Sequence, residues 1–262
     1  MVRETKKLSA PAVYLSNASL SYRQQPLFKN LNITFPSNKC VCLLGPSGVG
    51  KTTILRIIAD LITTAKPNDF SAQVTTSDSL PLTNRIAYMA QQDLLMPWLT
   101  VLENVLIGYK LRGINIKKHP QIKRRALSLL EKVNLQEVAG CYPNVLSGGM
   151  RQRAALARTL MEDAPVVLMD EPFASLDAIT RLRLQDLTAK LLVDRTILLV
   201  THDPLEALRL ADIIYVLKGL PVKLSKPIEP KGKIPRAPQD PSILKLEAEL
   251  FKELIKAHEE SK

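Results

Sequence analysis

"GPSGVGKTT", residues 45–53, is the stretch that decides the fold. It matches the pattern G-x-x-x-x-G-K-S/T, in which glycines let the backbone turn tightly and point successive N–H groups at phosphate oxygens. The apolar run "CVCLL" precedes it, and "TTILRIIADL", which has a helical pattern, follows it. This strand–loop–helix context predicts a phosphate-binding loop at a helix N-terminus, where the helix dipole favours an anion.

The residue types in this loop indicate a nucleoside triphosphate with Mg²⁺. Lys51 supplies a full positive charge to the β- and γ-phosphates, and the Thr52 hydroxyl is a ligand for the metal ion. The candidate ATP-binding residues of the loop are Gly45, Pro46, Ser47, Gly48, Val49, Gly50, Lys51, Thr52 and Thr53.

"VVLMDEP", residues 166–172, predicts a buried strand that ends in two acids. Asp170 stands where a carboxylate can hold Mg²⁺, and Glu171 is the candidate group that orients or deprotonates an attacking water. A strand end with two acids is common, but its place about 120 residues after a complete phosphate-binding loop makes the pattern far more specific.

Strand-length apolar runs alternate with helical patterns along most of the chain. The runs at residues 39–44, 85–89, 166–169, 196–200 and 213–217 predict a mostly parallel sheet. Near the N-terminus, "AVYLSNASLSY" and "LNITFP" predict an antiparallel hairpin or meander. Residues 66–83 are rich in Thr, Ser, Asp, Asn and Pro, which predicts loops with at most brief strands.

The C-terminal part changes character after residue 217. Six prolines predict an extended segment, and Asp240 with Pro241 predicts the start of a helix. This helix is expected to dock on the main domain or on a partner through one apolar face, formed by Ile243, Leu246, Leu250, Leu254 and Ala257.

Composition narrows the possible partners without choosing one. The 262 residues carry a net charge of +11, which permits nucleic acid, an anionic membrane surface or a phosphorylated ligand. Only 5% of residues are aromatic, which argues against base-stacking platforms. The three cysteines show no zinc spacing, and no apolar stretch is long enough to predict a membrane span.

With both nucleotide motifs identified, "LSGGMRQR" at residues 146–153 completes a resemblance to the ATP-binding subunit of ABC (ATP-binding cassette) transporters. The resemblance covers about residues 13–217. It implies an α/β P-loop NTPase with a RecA-like parallel sheet core, an N-terminal antiparallel β subdomain and an inserted helical subdomain at about residues 93–160. The ATPase domain is expected at residues 12–220, followed by a proline-rich tail and helix at residues 221–262.

The resemblance implies that each chain contributes to two ATP sites. In this family, Ser147, Gly148 and Gly149 would cap the γ-phosphate of the ATP held by a second subunit, so a head-to-tail homodimer is expected. Asp177, in "SLD", resembles the acid of the loop that crosses the dimer interface.

Other family positions can be matched one at a time. Tyr22 resembles the aromatic residue that stacks on adenine, and His202 resembles the histidine that reaches the γ-phosphate. Gln91 falls where the family has the glutamine that contacts Mg²⁺, with the adjacent Gln92 as the alternative. Asp60 departs from the family, which often has a glycine at that position.

The segment "LLMPWLTVLENV" is similar to the corresponding loop of importers in the nitrate, sulfonate and taurine group, which includes importers of pyrimidine precursors of thiamine. The resemblance implies a separate membrane permease, an extracytoplasmic solute-binding protein and a peripheral position on the cytoplasmic face of the inner membrane. Trp98 lies near the permease contact or is a core aromatic residue.

Three alternatives share some of these motifs: an ABC exporter subunit, a cassette ATPase acting on nucleic acid, and a small-molecule P-loop kinase. A small-molecule kinase does not need the "LSGGM" motif that this sequence contains. Cassette ATPases that act on nucleic acid usually have two cassettes or a long coiled-coil insertion, and this sequence shows neither. No nucleic-acid partner is therefore expected.

Overall fold

A computed structural model of the chain describes residues 10–23, 25–62 and 70–260. The strands are β1 (Val13–Tyr22), β2 (Gln25–Phe35), β3 (Cys40–Leu44), β4 (Phe70–Thr76), β5 (Ile86–Met89), β6 (Val166–Asp170), β7 (Thr196–Thr201), β8 (Ile213–Lys218) and β9 (Lys223–Leu224). The helices are α1 (Lys51–Ile58), α2 (Val101–Val105), α3 (Ile107–Leu111), α4 (Pro120–Lys132), α5 (Gly148–Met161), α6 (Ala178–Leu191), α7 (Pro204–Leu210) and α8 (Pro241–Glu260).

The chain divides into two compact units. The first contains the described residues up to 86 together with residues 164–170 and 193–260, and the second contains residues 87–163 and 171–192. The second unit is the helical part, since α2 to α6 all belong to it.

A six-stranded sheet in the order β5-β6-β7-β3-β8-β9 forms the core. Its central strand β3 pairs in parallel with β7 on one side and β8 on the other, and β6 pairs in parallel with β7. Every residue of β3, β6 and β7 is buried, which explains their almost continuous apolar sequences. The predicted parallel sheet is confirmed.

A separate antiparallel sheet has the order β2-β1-β4. The pairing of β1 with β2 confirms the predicted N-terminal antiparallel unit. The prediction of loops was wrong for β4, a seven-residue strand that pairs with β1. Alternate residues of β4 are less exposed, which gives the period of two of a half-buried strand despite the polar composition. Residues 66–69 of the predicted loop lie outside the described residues.

The helices of the second unit form their own small core. α2 and α4 both pack against α5. The buried residues of α4 are Ala126, Leu129 and Leu130, which lie on one face of the helix. α2 begins with a capping box, in which Thr100 and Glu103 each bond the other's backbone N–H.

The C-terminal segment is attached to the first unit. α8 packs on α7 and β8 and buries Ile243, Leu250 and Ala257, which confirms the predicted face. The Asp240 carboxylate accepts the N–H of Ser242, so the predicted N-terminal position is confirmed as well. Among the residues that the structure describes, no helix has the length and apolar character needed to cross a membrane.

Asp60, the position at which the family often has glycine, ends α1 in a left-handed conformation with φ of 56°. The N–H of Asp60 bonds the carbonyl of Ile57, and the N–H of Leu61 bonds the carbonyl of Arg56. These two bonds form a Schellman motif, which favours glycine because a Cβ is strained at this φ.

We expect Asp60→Gly to stabilise the protein by about 1 kcal/mol, because glycine removes the strain of the left-handed conformation. The midpoint of thermal unfolding should rise by roughly 2–4 °C. Asp60→Ala is the matched control, since it also removes the carboxylate but keeps a Cβ. A rise of equal size in both variants would contradict the strain argument.

Arg236 anchors the proline-rich segment to the end of α7. The side chain is buried, and Nη1 donates to the carbonyls of Leu208 and Ala211 at 2.8 Å each. Nε donates to the carbonyl of Lys231 at 2.9 Å. Burial lowers the pKa of Arg236, while the nearby Asp212 carboxylate opposes that shift. The guanidinium thus satisfies carbonyls that the end of a helix leaves without partners.

We expect Arg236→Ala to destabilise the protein by about 3 kcal/mol, because several buried carbonyls lose a charged donor. Arg236→Lys should recover little of that loss, since an ammonium lacks the planar fork of donors. The measurement is the denaturant midpoint, with the exposed neighbour Lys233→Ala as control. Equal midpoints for Arg236→Ala and Lys233→Ala would contradict the anchoring role.

Candidate functional site

The loop of residues 45–50 connects β3 to α1 as predicted. Gly48 and Gly50 have φ of 83° and 100°, which L side chains rarely adopt. A Cβ at Gly50 would lie only 2.8 Å from Cζ of Phe28, so position 50 has no room for a side chain. Both backbone conformation and close packing therefore require glycine there.

Lys51 begins α1, and its ammonium group is held inside this loop. Only 5% of the residue is exposed. Its Nζ donates to the carbonyls of Gly45 at 2.7 Å and Pro46 at 2.9 Å. The positive charge therefore lies at the loop, together with the N-terminal end of α1. Thr52 and Thr53 follow in the first turn of the helix and are half-buried.

Strand register brings Asp170 and His202 to the same sheet edge as this loop. In the pairing of β6 with β7, Asp170 lies opposite Val200, and in that of β3 with β7, Leu44 lies opposite Thr201. The carboxyl ends of parallel strands share one edge, so Asp170, His202 and the start of the loop align there. Asp170 is buried, with 1% of the residue exposed, and His202 is exposed.

Tyr22 is the last residue of β1, and 54% of it is exposed. An aromatic ring with this exposure is available to stack on a planar ligand. The structure thus places Tyr22 at a surface in the first unit, as the stacking hypothesis requires.

In the second unit, Gln91 contacts Glu171. Its Nε2 lies 3.3 Å from Oε2 of Glu171, and this contact favours Gln91 over Gln92 as the functional glutamine. Glu171 adopts a left-handed backbone conformation with φ of 47°. A strained non-glycine residue of this kind often marks a functional site.

The "LSGGMRQR" segment forms the N-terminal end of α5. Ser147 is the N-cap, and its Oγ accepts the N–H of Met150 at 3.2 Å. Ser147 and Gly148 are exposed, so the start of the helix is open to solvent. A Cβ at Gly149 would lie 3.3 Å from the carbonyl oxygen of Ser175, so glycine allows close backbone approach. This end of α5 has the donors and the dipole that bind phosphate.

Asp177 caps the N-terminal end of a helix. It is the N-cap of α6, and its side chain accepts the N–H of Thr180 at 3.0 Å. That backbone hydrogen bond is the main reason why the pKa of Asp177 lies below its usual value. The carboxylate is therefore stabilised in its charged form at an exposed position.

Sequence reasoning missed two contributions from α5. Gln152 is buried, and its Nε2 donates to the carbonyl of Pro172, two residues after Asp170. Arg151 pairs with Asp93, with 3.1 Å between Nε and Oδ2, and so links α5 to the segment that follows Gln91. The sequence signal for Gln152 is its spacing, since it lies three and four residues before the buried Ala155 and Leu156, on the same helix face.

Trp98 is 69% exposed, and Leu94 in the same segment is 54% exposed. The interpretation of Trp98 as a core aromatic residue is therefore wrong. Two large apolar side chains presented to solvent on one short segment are typical of a contact surface for another protein.

Comparisons with known proteins agree with these features. The family model described as ABC transporter matches residues 28–174. An uncharacterized ABC transporter ATP-binding protein of Haemophilus influenzae is 41% identical over 92% of this chain and 98% of its own length. An aliphatic sulfonates import ATP-binding protein of Paracoccus denitrificans is 37% identical over 94% of each.

Solved structures of the bacterial ABC transporter cassette MJ0796 are also similar. The dimeric structure has a TM-score of 0.72 and 30% identity, and it covers 84% of this chain and 100% of that chain. A second structure, of a post-hydrolysis state bound to ADP and Pi, has the same TM-score of 0.72.

We expect Lys51→Ala to weaken ATP binding about ten-fold or more, because a charged hydrogen-bond donor to phosphate is lost. Titration with a fluorescent ATP analogue measures the effect. The control is Arg56→Ala, which removes an exposed cation from the same helix. Equal affinities for the two variants, both folded by their melting curves, would exclude Lys51 from the binding site.

Proposed function

This chain belongs to the ABC transporter family, and we propose that it is the ATP-hydrolysing subunit that drives uptake of a small solute through a separate membrane permease. The observation that carries the proposal is the presence of two phosphate-binding elements in one chain. One is the loop of residues 45–50 before α1, and the other is the exposed N-terminal end of α5 at Ser147.

In the first unit, the proposed ATP-binding groups lie at the carboxyl edge of the parallel sheet. The N–H groups of the loop and the Lys51 ammonium bind the phosphates, and Tyr22 stacks on the adenine ring. His202 contacts the γ-phosphate from the end of β7. The Lys51 ammonium donates to the carbonyl of Gly45, and a Cβ at Gly48 would meet no atom within 4 Å, so the loop is open beside Gly48, which supports this assignment.

The residues present also fit Mg²⁺. In the first unit, Thr52 offers a hydroxyl and Asp170 a buried carboxylate, and hard oxygen donors are the ligands that Mg²⁺ prefers. When bound with ATP, the ion would neutralise charge on the β- and γ-phosphates. Asp170 at the end of β6 is held rigidly by the strand, which suits a metal ligand.

Glu171 is the proposed residue that orients the attacking water or removes its proton. The Gln91 amide donates to its carboxylate and so limits the positions that the carboxylate adopts. Lys51 and the donors at Ser147, Gly148 and Gly149 stabilise the negative charge of the transferring phosphoryl group.

We propose that the donors of α5 act on the ATP of a second subunit in a head-to-tail homodimer, with Asp177 at the interface between subunits. The solved dimer of a similar cassette supports a dimeric working unit. The domain limits of residues 12–220, 93–160 and 221–262 remain part of this proposal. So does a peripheral position on the cytoplasmic face of the inner membrane.

The relatives described as aliphatic sulfonates import proteins support a small anionic solute of the sulfonate type. Nitrate, taurine and pyrimidine precursors are the alternatives that the similarity of the "LLMPWLTVLENV" segment implies. The exposed side chains of Leu94 and Trp98 form the proposed contact with the permease. Such an importer also requires an extracytoplasmic protein that delivers the solute.

We expect Glu171→Gln to bind ATP but to lose turnover and to accumulate as an ATP-bound dimer, because the group that activates water is lost. The tagged variant is expressed in its native cell, the membranes are solubilised with ATP, and the captured proteins are identified by mass spectrometry. A multi-span permease together with a solute-binding protein supports the importer.

The control is Glu137→Gln, which neutralises an exposed acid in the same unit and should turn over ATP normally. A permease without a solute-binding protein, whose vesicles carry solute outward, would indicate the exporter. Capture of nucleic acid without any membrane protein would contradict the transporter, and hydrolysis by Glu171→Gln at the wild-type rate would contradict the role of Glu171.

A further inference from the structure

Gln152 is a buried amide on α5, where most of the other buried side chains are apolar. Only 4% of the residue is exposed. Its Nε2 donates to the carbonyl of Pro172 at 3.0 Å and approaches the carbonyl of Glu171 at 3.4 Å. Two consecutive carbonyls of one loop therefore face a single side-chain amide group.

The loop that receives these bonds is strained. Glu171 has a φ of 47°, a conformation that is unfavourable for an L-residue and persists only where its surroundings enforce it. The carbonyl of Glu171 also accepts the N–H of Ala174 at 3.3 Å. The main chain of this residue is thus fixed by contacts from its own loop and from α5.

The side chain of Glu171 is held separately. Its Oε2 lies 3.3 Å from Nε2 of Gln91, a contact that acts on the carboxylate and not on the backbone. The Gln91 contact limits rotation of the Glu171 side chain, whereas the Gln152 contacts fix the main chain from which that side chain extends. Both are needed if the carboxylate is to be held to within a fraction of an ångström of the position from which it acts on a water molecule.

We propose that Gln152 is a positioning residue for hydrolysis, which holds the backbone of Glu171 in the left-handed conformation that directs its carboxylate. The inference rests on the proposed role of Glu171. Gln152 itself touches no substrate. Because Gln152 and Ser147 belong to one helix, α5 both offers donors at its N-terminal end and orients the hydrolytic residue of the same chain.

The test is Gln152→Met in the full chain, since methionine has a similar length and lacks the N–H donors. The matched control is Thr159→Val, which removes another buried hydrogen bond on α5, from Oγ1 to the carbonyl of Ala155 at 3.0 Å. For each protein, kcat, the Kd for ATP and the melting temperature are measured at one pH and one Mg²⁺ concentration.

We expect kcat of Gln152→Met to fall ten-fold or more, with the Kd for ATP unchanged within two-fold and a melting temperature close to that of Thr159→Val. Thr159→Val should keep the wild-type kcat. Unchanged kcat in Gln152→Met would overturn the proposal. A fall in kcat accompanied by weaker ATP binding, or by a much lower melting temperature than the control, would also overturn it, since the residue would then act on overall stability.

Glu171→Gln measured in parallel separates this inference from the proposed function. If Glu171→Gln loses turnover and Gln152→Met does not, only the positioning role fails. If Glu171→Gln retains turnover, the proposed role of Glu171 fails and the positioning role fails with it.

Discussion

The parallel pairing of β3, β7 and β6 is the constraint on which the nucleotide-binding edge depends. Because these strands are buried and run in one direction, their carboxyl ends fall at one edge, and the residues that follow them are held by main-chain hydrogen bonds. The phosphate-binding loop, Asp170 and His202 all follow such strand ends. Their alignment requires no long-range side-chain contact, only the register of three strands.

The helical unit uses a different constraint. There, α5 is the common element, since its N-terminal end carries Ser147 and Gly149, and its second turn carries Arg151 and Gln152. Glycine at 149 allows the helix to approach the carbonyl of Ser175, so the loop after β6 lies against the helix. A displacement of α5 would therefore shift the main chain at Glu171, and with the proposed roles of Ser147 and Glu171 one helix would affect both ATP binding and hydrolysis.

Most of the fold was predictable because strong local patterns and tertiary structure agree. The buried strands, α4, the phosphate-binding loop and the terminal helix all follow from periodicity, glycine spacing and capping residues. β4 was missed because its alternation is carried by Ala, Val and Thr among polar residues, and only pairing with β1 stabilises it. The left-handed backbone of Glu171 and the hydrogen bonds from Gln152 to the carbonyls of Glu171 and Pro172 depend on distant parts of the chain. No local sequence pattern predicts them.

The anchoring of the proline-rich segment by Arg236 also has a genetic consequence. A segment with six prolines that ends in a terminal helix looks dispensable. Its Arg236 guanidinium, however, donates to the carbonyls at the end of α7, and α7 begins two residues after His202. A nonsense or frameshift allele that ends near codon 230 would therefore behave as a loss of the whole protein and not as a trimmed but active product.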